Sequence, residues 1–131
     1  MRNFHFAENN QITLLHNGAE YFPELEAAID KAHTEIHLET YIFEYDAIGQ
    51  KITDALKRAA QRGVALFLLL DGFGSQDFPR EEIQRMLQAG IRVLIFRPEY
   101  IFSKPRRYRL RRMHRKLVII DAQTAFIGGI N

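Results

Sequence analysis

The sequence predicts a single α/β domain, and three observations lead there. Short apolar runs alternate with stretches whose apolar residues recur at helical spacing, two of those stretches stop at glycines, and 131 residues that are 47% hydrophobic suffice for one core. Successive strands are joined through helices, so two β-α-β crossovers make them parallel. No repeat, linker or low-complexity tract divides the chain, and residues 1–131 read as one domain.

Each element has its own warrant. A first strand is expected at residues 12–15, ending at the turn signal Asn17-Gly18. Pro23 then suits the first turn of a helix carrying Leu25, Ile29 and Ala32 on one face. The apolar run EIHLETYIF at residues 35–43 predicts the next strand. A helix over 48–61 follows, with Ile52, Leu56 and Ala59 or Ala60 inward and Gly63 as its stop. Residues 64–70 form a strand, and Pro79 opens a third helix that turns Ile83, Met86 and Leu87 inward and ends at Gly90. Residues 91–96 make the fourth of these strands. Periodicity fails over 97–113, which predicts a loop, and HRKLVIID at 114–121 restores a strand, with a turn at 122–124 and a short partner strand at 125–128. The chain stops at Asn131 without the polar tail or capping helix that usually closes a domain, so a longer parent is expected.

Composition excludes several classes. The longest apolar run, VALFLLL, is far shorter than the roughly 20 residues of a membrane-spanning helix. The N-terminus lacks the apolar stretch of a secretory signal, and the absence of cysteine removes any disulfide framework, so a reducing cytoplasm is the default. The net charge of +2 hides a strong asymmetry. Eight of the 18 basic residues (Lys104, Arg106, Arg107, Arg109, Arg111, Arg112, Arg115 and Lys116) fall within 104–116, where there is no acidic residue. The segment carries +8 and the rest of the chain −6. Such a stretch points to an anionic partner, whether nucleic acid, lipid headgroup or phosphorylated small molecule.

The residues with the sharpest chemistry are His114, Lys116 and Asp121, followed by Gly128, Gly129 and Asn131. His114 and Lys116 are two apart, so on a strand they share a face about 7 Å apart. An imidazole can attack phosphorus or protonate a leaving oxygen, and an adjacent ammonium neutralises phosphate charge as the reaction proceeds. Asp121 lies seven residues from His114, about 23 Å along a straight strand and on its other face. It therefore cannot orient His114, and a structural salt bridge or turn hydrogen bond is expected of it. The two glycines allow close backbone approach to a phosphate, and the Asn131 amide can donate to it. Other polar residues have plainer uses. Glu39 shares a face with His37 and Tyr41 and reads as a carboxylate satisfied by a base or backbone donor, with a place in the site as the alternative. Asp71 ends a strand where ligands of open sheets gather, yet a cap is at least as good a reading. His37 reads as a satisfied core histidine.

The string HxKxxxxDxxxxxxGGxN resembles the signature of the phospholipase D superfamily. IHLETYIFEYDAIGQKITDALKRAAQRGV, LLLDGFGS and RRMHRKLVIIDAQTAFIGGIN are similar to the first half of bacterial cardiolipin synthases, of the type without membrane-spanning helices before the first strand. The resemblance implies a mixed, mostly parallel sheet flanked by helices, the first half of a pseudo-symmetric enzyme with two such motifs. It implies that one histidine accepts the phosphatidyl group as a phosphohistidine while the other acts as acid and then base. His114 would be one of these, Lys116 would bind phosphate with Gly129 and Asn131, and Asp121 would support the motif. No metal or cofactor is expected. The partners implied are phosphatidylglycerol, the membrane surface and a C-terminal half bearing the second motif, with Arg109, Arg111, Arg112 and Arg115 holding anionic headgroups. The place of work would be the cytoplasmic face of the bacterial inner membrane, occupied peripherally. No second HxK occurs in these 131 residues, so alone they are expected to be inactive. Two other readings stand beside this one: a homodimeric nuclease of the superfamily with one motif per chain, disfavoured by the cardiolipin-synthase-like segments, and a truncated module that binds anionic lipid.

Overall fold

The computed structural model describes residues 8–98 and 112–131. Along the chain run α1 (Asn17–Lys31), β1 (Glu35–Thr40), α2 (Ala47–Gln61), β2 (Ala65–Asp71), α3 (Arg80–Gln88), β3 (Arg92–Phe96), β4 (Lys116–Ile120) and β5 (Thr124–Ile127). The five strands form one sheet in the order β3-β2-β1-β4-β5. β1, β2 and β3 are parallel through the two expected crossovers. β4 returns antiparallel beside β1 and forms a hairpin with β5.

Local chemistry explains most boundaries. The Asp46 side chain accepts from the backbone of Ile48 and Gly49 and so caps α2, whose buried residues Ile52, Leu56 and Ala59 keep to one stripe. Gly63 and Gly90 end α2 and α3 at φ +91° and +89°, a conformation that favours glycine. Pro79 caps α3 as expected, although Leu87 is 43% exposed and only Met86 and Ile83 turn inward. Lys57 from α2 and Arg85 within α3 both pair with the buried Glu82 carboxylate, tying the two helices together.

The expected strand at 12–15 does not form. Ile12 and Leu14 are 94% and 75% exposed, and Asn17-Gly18 opens α1 instead of closing a turn. Asn17 stands at φ +56°, and its side chain accepts from the Ala19 amide. Pro23 lies inside this helix, not at its start. An Asn-Gly pair makes a hairpin only where a partner strand is at hand, and here the preceding residues have none. The strand expected over 114–121 is shorter, with His114 just ahead of β4 and Asp121 just after it.

The core lies on one face of the sheet. Ile36 and Leu38 of β1, Leu66, Leu68 and Leu70 of β2, and Val118 and Ile120 of β4 pack against Leu25 and Ile29 of α1, Ile52 and Leu56 of α2, and Met86 of α3. Burying each such side chain contributes about 1.5–3 kcal/mol. The other face carries the alternate residues, including Glu35, His37, Glu39, Phe67 and Leu69, all only partly buried. His37 stacks on Phe67 with ring centroids 4.6 Å apart and meets Glu35 at 3.3 Å. Among the described residues, no helix is long and apolar enough to cross a membrane.

Candidate active site

Because β4 runs opposite to its neighbours, its first residues lie at the same end of the sheet as the last residues of β1 and β2. Lys116 pairs in register with Thr40, and the site gathers there, outside the carboxyl ends of the parallel strands.

Tyr41, just past β1, is the meeting point. Its ring centroid is 4.9 Å from that of His114, and the Lys116 ammonium lies 5.4 Å from the same ring, within cation–π range. His114 is exposed, whereas Lys116 is buried, 9% exposed. The Lys116 ammonium donates one long hydrogen bond, 3.4 Å, to the His114 carbonyl. Among the described residues no carboxylate pairs with it. The expected juxtaposition of His114 and Lys116 is therefore present, organised around an aromatic ring.

A cavity of about 410 Å³ opens beside Lys116. Phe22 and Leu25 of α1, Phe43, and Ile48 and Ile52 of α2 are among its apolar lining, and Glu39, Thr40, Glu44, Asp46, Lys116 and Asn131 are its polar lining. Asn131 belongs to this polar lining, but its side-chain oxygen accepts from the Ile42 amide at 3.2 Å. The amide NH₂ is the part of Asn131 that can donate to a phosphate. Gly128 and Gly129 have nothing within 4 Å of where a Cβ would stand, so space alone does not demand glycine at either position.

Asp121 sits at the far end of β4, as its spacing predicts. Its carboxylate accepts from the amides of His33, Thr34 and Glu35 and from the Thr34 hydroxyl, at 2.8–3.0 Å. These donors, the backbone amides first, hold its pKa well below the usual carboxylate range. It thereby locks the turn at 121–123, where Asp121 and Ala122 both have positive φ, against the start of β1. Glu39 finds the base expected of it, accepting from Arg115 at 2.8 Å, and this bond raises the Arg115 pKa. Arg112 stacks on the Phe73 ring at 4.3 Å. Arg109 and Arg111 lie outside the described residues. Among the described residues no three of His, Asp and Glu gather at metal-ligand spacing.

The sequence offers Asp71 as a ligand position or a cap, and it gives no sign of the contact to Met113. Asp71 is 1% exposed, and its carboxylate accepts from Phe73 and Gly74 on one oxygen and from Met113 on the other. It is thus a turn cap and, in addition, an anchor for the residue before His114. The string DGFGS, with two glycines closing a buried strand, carries the signal of a tight turn; its partner 42 residues away leaves no local trace.

The open α/β sheet with its antiparallel fourth strand is similar to solved structures of phospholipase D-like proteins. The fold resembles the crystal structure of Nuc, a phospholipase D family member from Salmonella typhimurium, with a TM-score of 0.58 and 28% identity over 83% of this chain and 62% of that one. It also resembles NucT from Helicobacter pylori, with a TM-score of 0.57 over 83% of this chain and 65% of that one.

The family described as "Cardiolipin synthase, PLD-like domain" matches residues 25–131, and the chain belongs to it. Cardiolipin synthase B of Escherichia coli (strain K12) is 45% identical over 129 residues, which are 95% of this chain and 30% of that protein. The major cardiolipin synthase ClsA of Bacillus subtilis (strain 168) is 38% identical over 127 residues, 96% of this chain and 26% of that protein. The chain thus spans less than a third of the length of these relatives.

Proposed function

We propose that the chain carries the first His-x-Lys motif of a cardiolipin synthase that transfers a phosphatidyl group from one phosphatidylglycerol to the hydroxyl of another. The observation that carries this reading is Lys116, a largely buried lysine beside His114 that lines the cavity and has no carboxylate partner among the described residues. Burying a cation without a counter-ion is costly, and a phosphodiester at the site would supply the missing negative charge. Membership of a family whose named relatives synthesise cardiolipin supports the substrate class.

On this reading the His114 imidazole forms a nitrogen–phosphorus bond as the bond from phosphorus to the glycerol headgroup breaks. The departing glycerol oxygen takes a proton from a second histidine, supplied from outside these residues. That histidine then accepts the proton of the incoming phosphatidylglycerol hydroxyl, whose oxygen bonds to phosphorus as the nitrogen–phosphorus bond breaks. The products are cardiolipin and free glycerol. Lys116, with the Asn131 amide and the Gly129 backbone, offsets the charge that grows on the phosphoryl oxygens. The basic stretch ending at Lys116 would draw the protein peripherally to the cytoplasmic face of the bacterial inner membrane. Because only one His-x-Lys lies in the chain, these residues alone carry half of the machinery.

The test is cardiolipin formation from phosphatidylglycerol by the whole protein. The wild type should form cardiolipin and an acid-labile phosphoryl adduct on histidine, and His114→Ala should abolish turnover. An active His114→Ala variant would refute the assignment.

A further inference from the structure

We infer that the turn at residues 71–75, Asp71-Gly72-Phe73-Gly74-Ser75, is the positioning element of His114, holding the imidazole from both sides through groups that never meet the substrate. The inference rests on the reading of His114 as the nucleophile.

The histidine needs such a device because it stands ahead of β4, where no ladder of strand hydrogen bonds fixes it. One hold comes from its own chain. The buried Asp71 carboxylate accepts from the Met113 amide at 2.7 Å, one residue before His114, and Phe73 takes the Arg112 guanidinium on its ring at 4.3 Å. Met113 itself is 7% exposed, so this hydrogen bond is shielded from water and correspondingly strong. The other hold comes through Tyr41, whose ring packs against the imidazole. The Ser75 hydroxyl donates to the Tyr41 carbonyl at 3.0 Å and accepts from the Phe43 amide at 3.0 Å. Gly74 lets the turn sit directly on Tyr41, since a Cβ there would stand 2.2 Å from the Tyr41 carbonyl oxygen. Four residues of one tight turn therefore fix both the backbone that delivers the imidazole and the ring that faces it. A geometry of reacting groups held to within an ångström is worth about 10²-fold in rate, and that is what a tether of this kind supplies.

Asp71→Asn separates the two uses of the carboxylate. The side-chain oxygen can still accept from Phe73 and Gly74, but an NH₂ then faces the Met113 amide, donor against donor. In the whole protein, kcat for cardiolipin formation should fall about 10²-fold with KM changed by less than about twofold. Ser75→Ala, which frees Tyr41, should lower kcat roughly tenfold, and Ser75→Thr should restore it. A second readout is independent of the reaction: acylation of His114 by diethyl pyrocarbonate, followed by mass spectrometry with His33 and His37 as internal references. Release of the ring from Tyr41 should speed His114 acylation several-fold in both variants and leave the references unchanged. If the wild type makes no cardiolipin, the functional reading fails and the acylation arm still judges the tether. If Asp71→Asn loses the fold, Ser75→Ala and its threonine rescue decide. Wild-type kcat with unchanged His114 acylation would overturn the inference, as would a fall in rate carried by KM alone.

Discussion

Lys116 and Asp121 stand at the two ends of one five-residue strand and are used in opposite ways. Lys116 is buried without a counter-ion among the described residues, a cost to stability that the Tyr41 ring and one long hydrogen bond offset in part and a negatively charged ligand would offset further. Lys116→Met should therefore raise the unfolding free energy by about 1 kcal/mol in urea titrations while lowering transfer by 10² or more, since removing one charge-stabilising contact costs about 3 kcal/mol in the transition state. Asp121 is saturated with donors from residues 33–35. Its folded-state pKa is depressed, so its contribution to stability is present above the ordinary carboxylate pKa of about 3.9 and is lost as pH falls through and below it. Asp121→Asn should lower Tm at neutral pH, and the gap to wild type should close on acidification below about pH 4. Spacing alone made both placements legible: two residues on one strand bring His114 and Lys116 together, and seven put Asp121 out of reach. Asp71 and Ser75 were illegible as anchors because their partners, Met113 and Tyr41, are distant in sequence and meet them only in the finished sheet.

At the scale of elements, boundaries were legible where the chain carries its own punctuation. Asp46 before α2, Pro79 before α3, and Gly63 and Gly90 after them mark helix ends through side-chain or backbone preferences that act within a few residues. The start of α1 was not legible, because Asn17-Gly18 and Pro23 each fit two local structures and only the missing strand partner decides between them. Leu87 was misplaced for a related reason, since its period fits the buried stripe while the core is filled by Met86. Close packing at the start of α2 supplies a test. A Cβ on Gly49 would stand 1.8 Å from the Glu44 carbonyl oxygen, so Gly49→Ala has to displace the backbone entering α2. A loss of about 2 kcal/mol or more in urea-induced unfolding is expected, against almost none for Gly129→Ala, whose Cβ meets open space.

The whole molecule is asymmetric in two respects. All three helices pack on one face of the sheet, and charge is concentrated in the stretch that leads into the site. Setting aside Arg112, Arg115 and Lys116, which are stacked, paired or buried, five bases remain between residues 104 and 111; at about 1 kcal/mol each near an anionic surface, they should make the protein sediment with vesicles containing phosphatidylglycerol but not with neutral ones. Raising salt from 0.1 to 1 M, which shortens the screening length from about 10 to about 3 Å, should release it. Tighter binding to single-stranded DNA than to anionic vesicles would instead favour a nuclease.

The mixed direction of the sheet divides the molecule into two ends with different tolerances. Tyr41, the turn at 71–75, His114 and Lys116 come from three strands, yet all lie where β1 and β2 finish and β4 begins. The glycine turns at Gly63 and Gly90, which lead into β2 and β3, lie at the opposite end, and nothing stands within 4 Å of where their Cβ atoms would be. That end is a natural port for engineering. A peptide tag or fluorescent reporter spliced in after Gly90 would extend into solvent about as far from His114 as this sheet allows, so lipid encounter could be followed on a molecule whose chemistry is untouched.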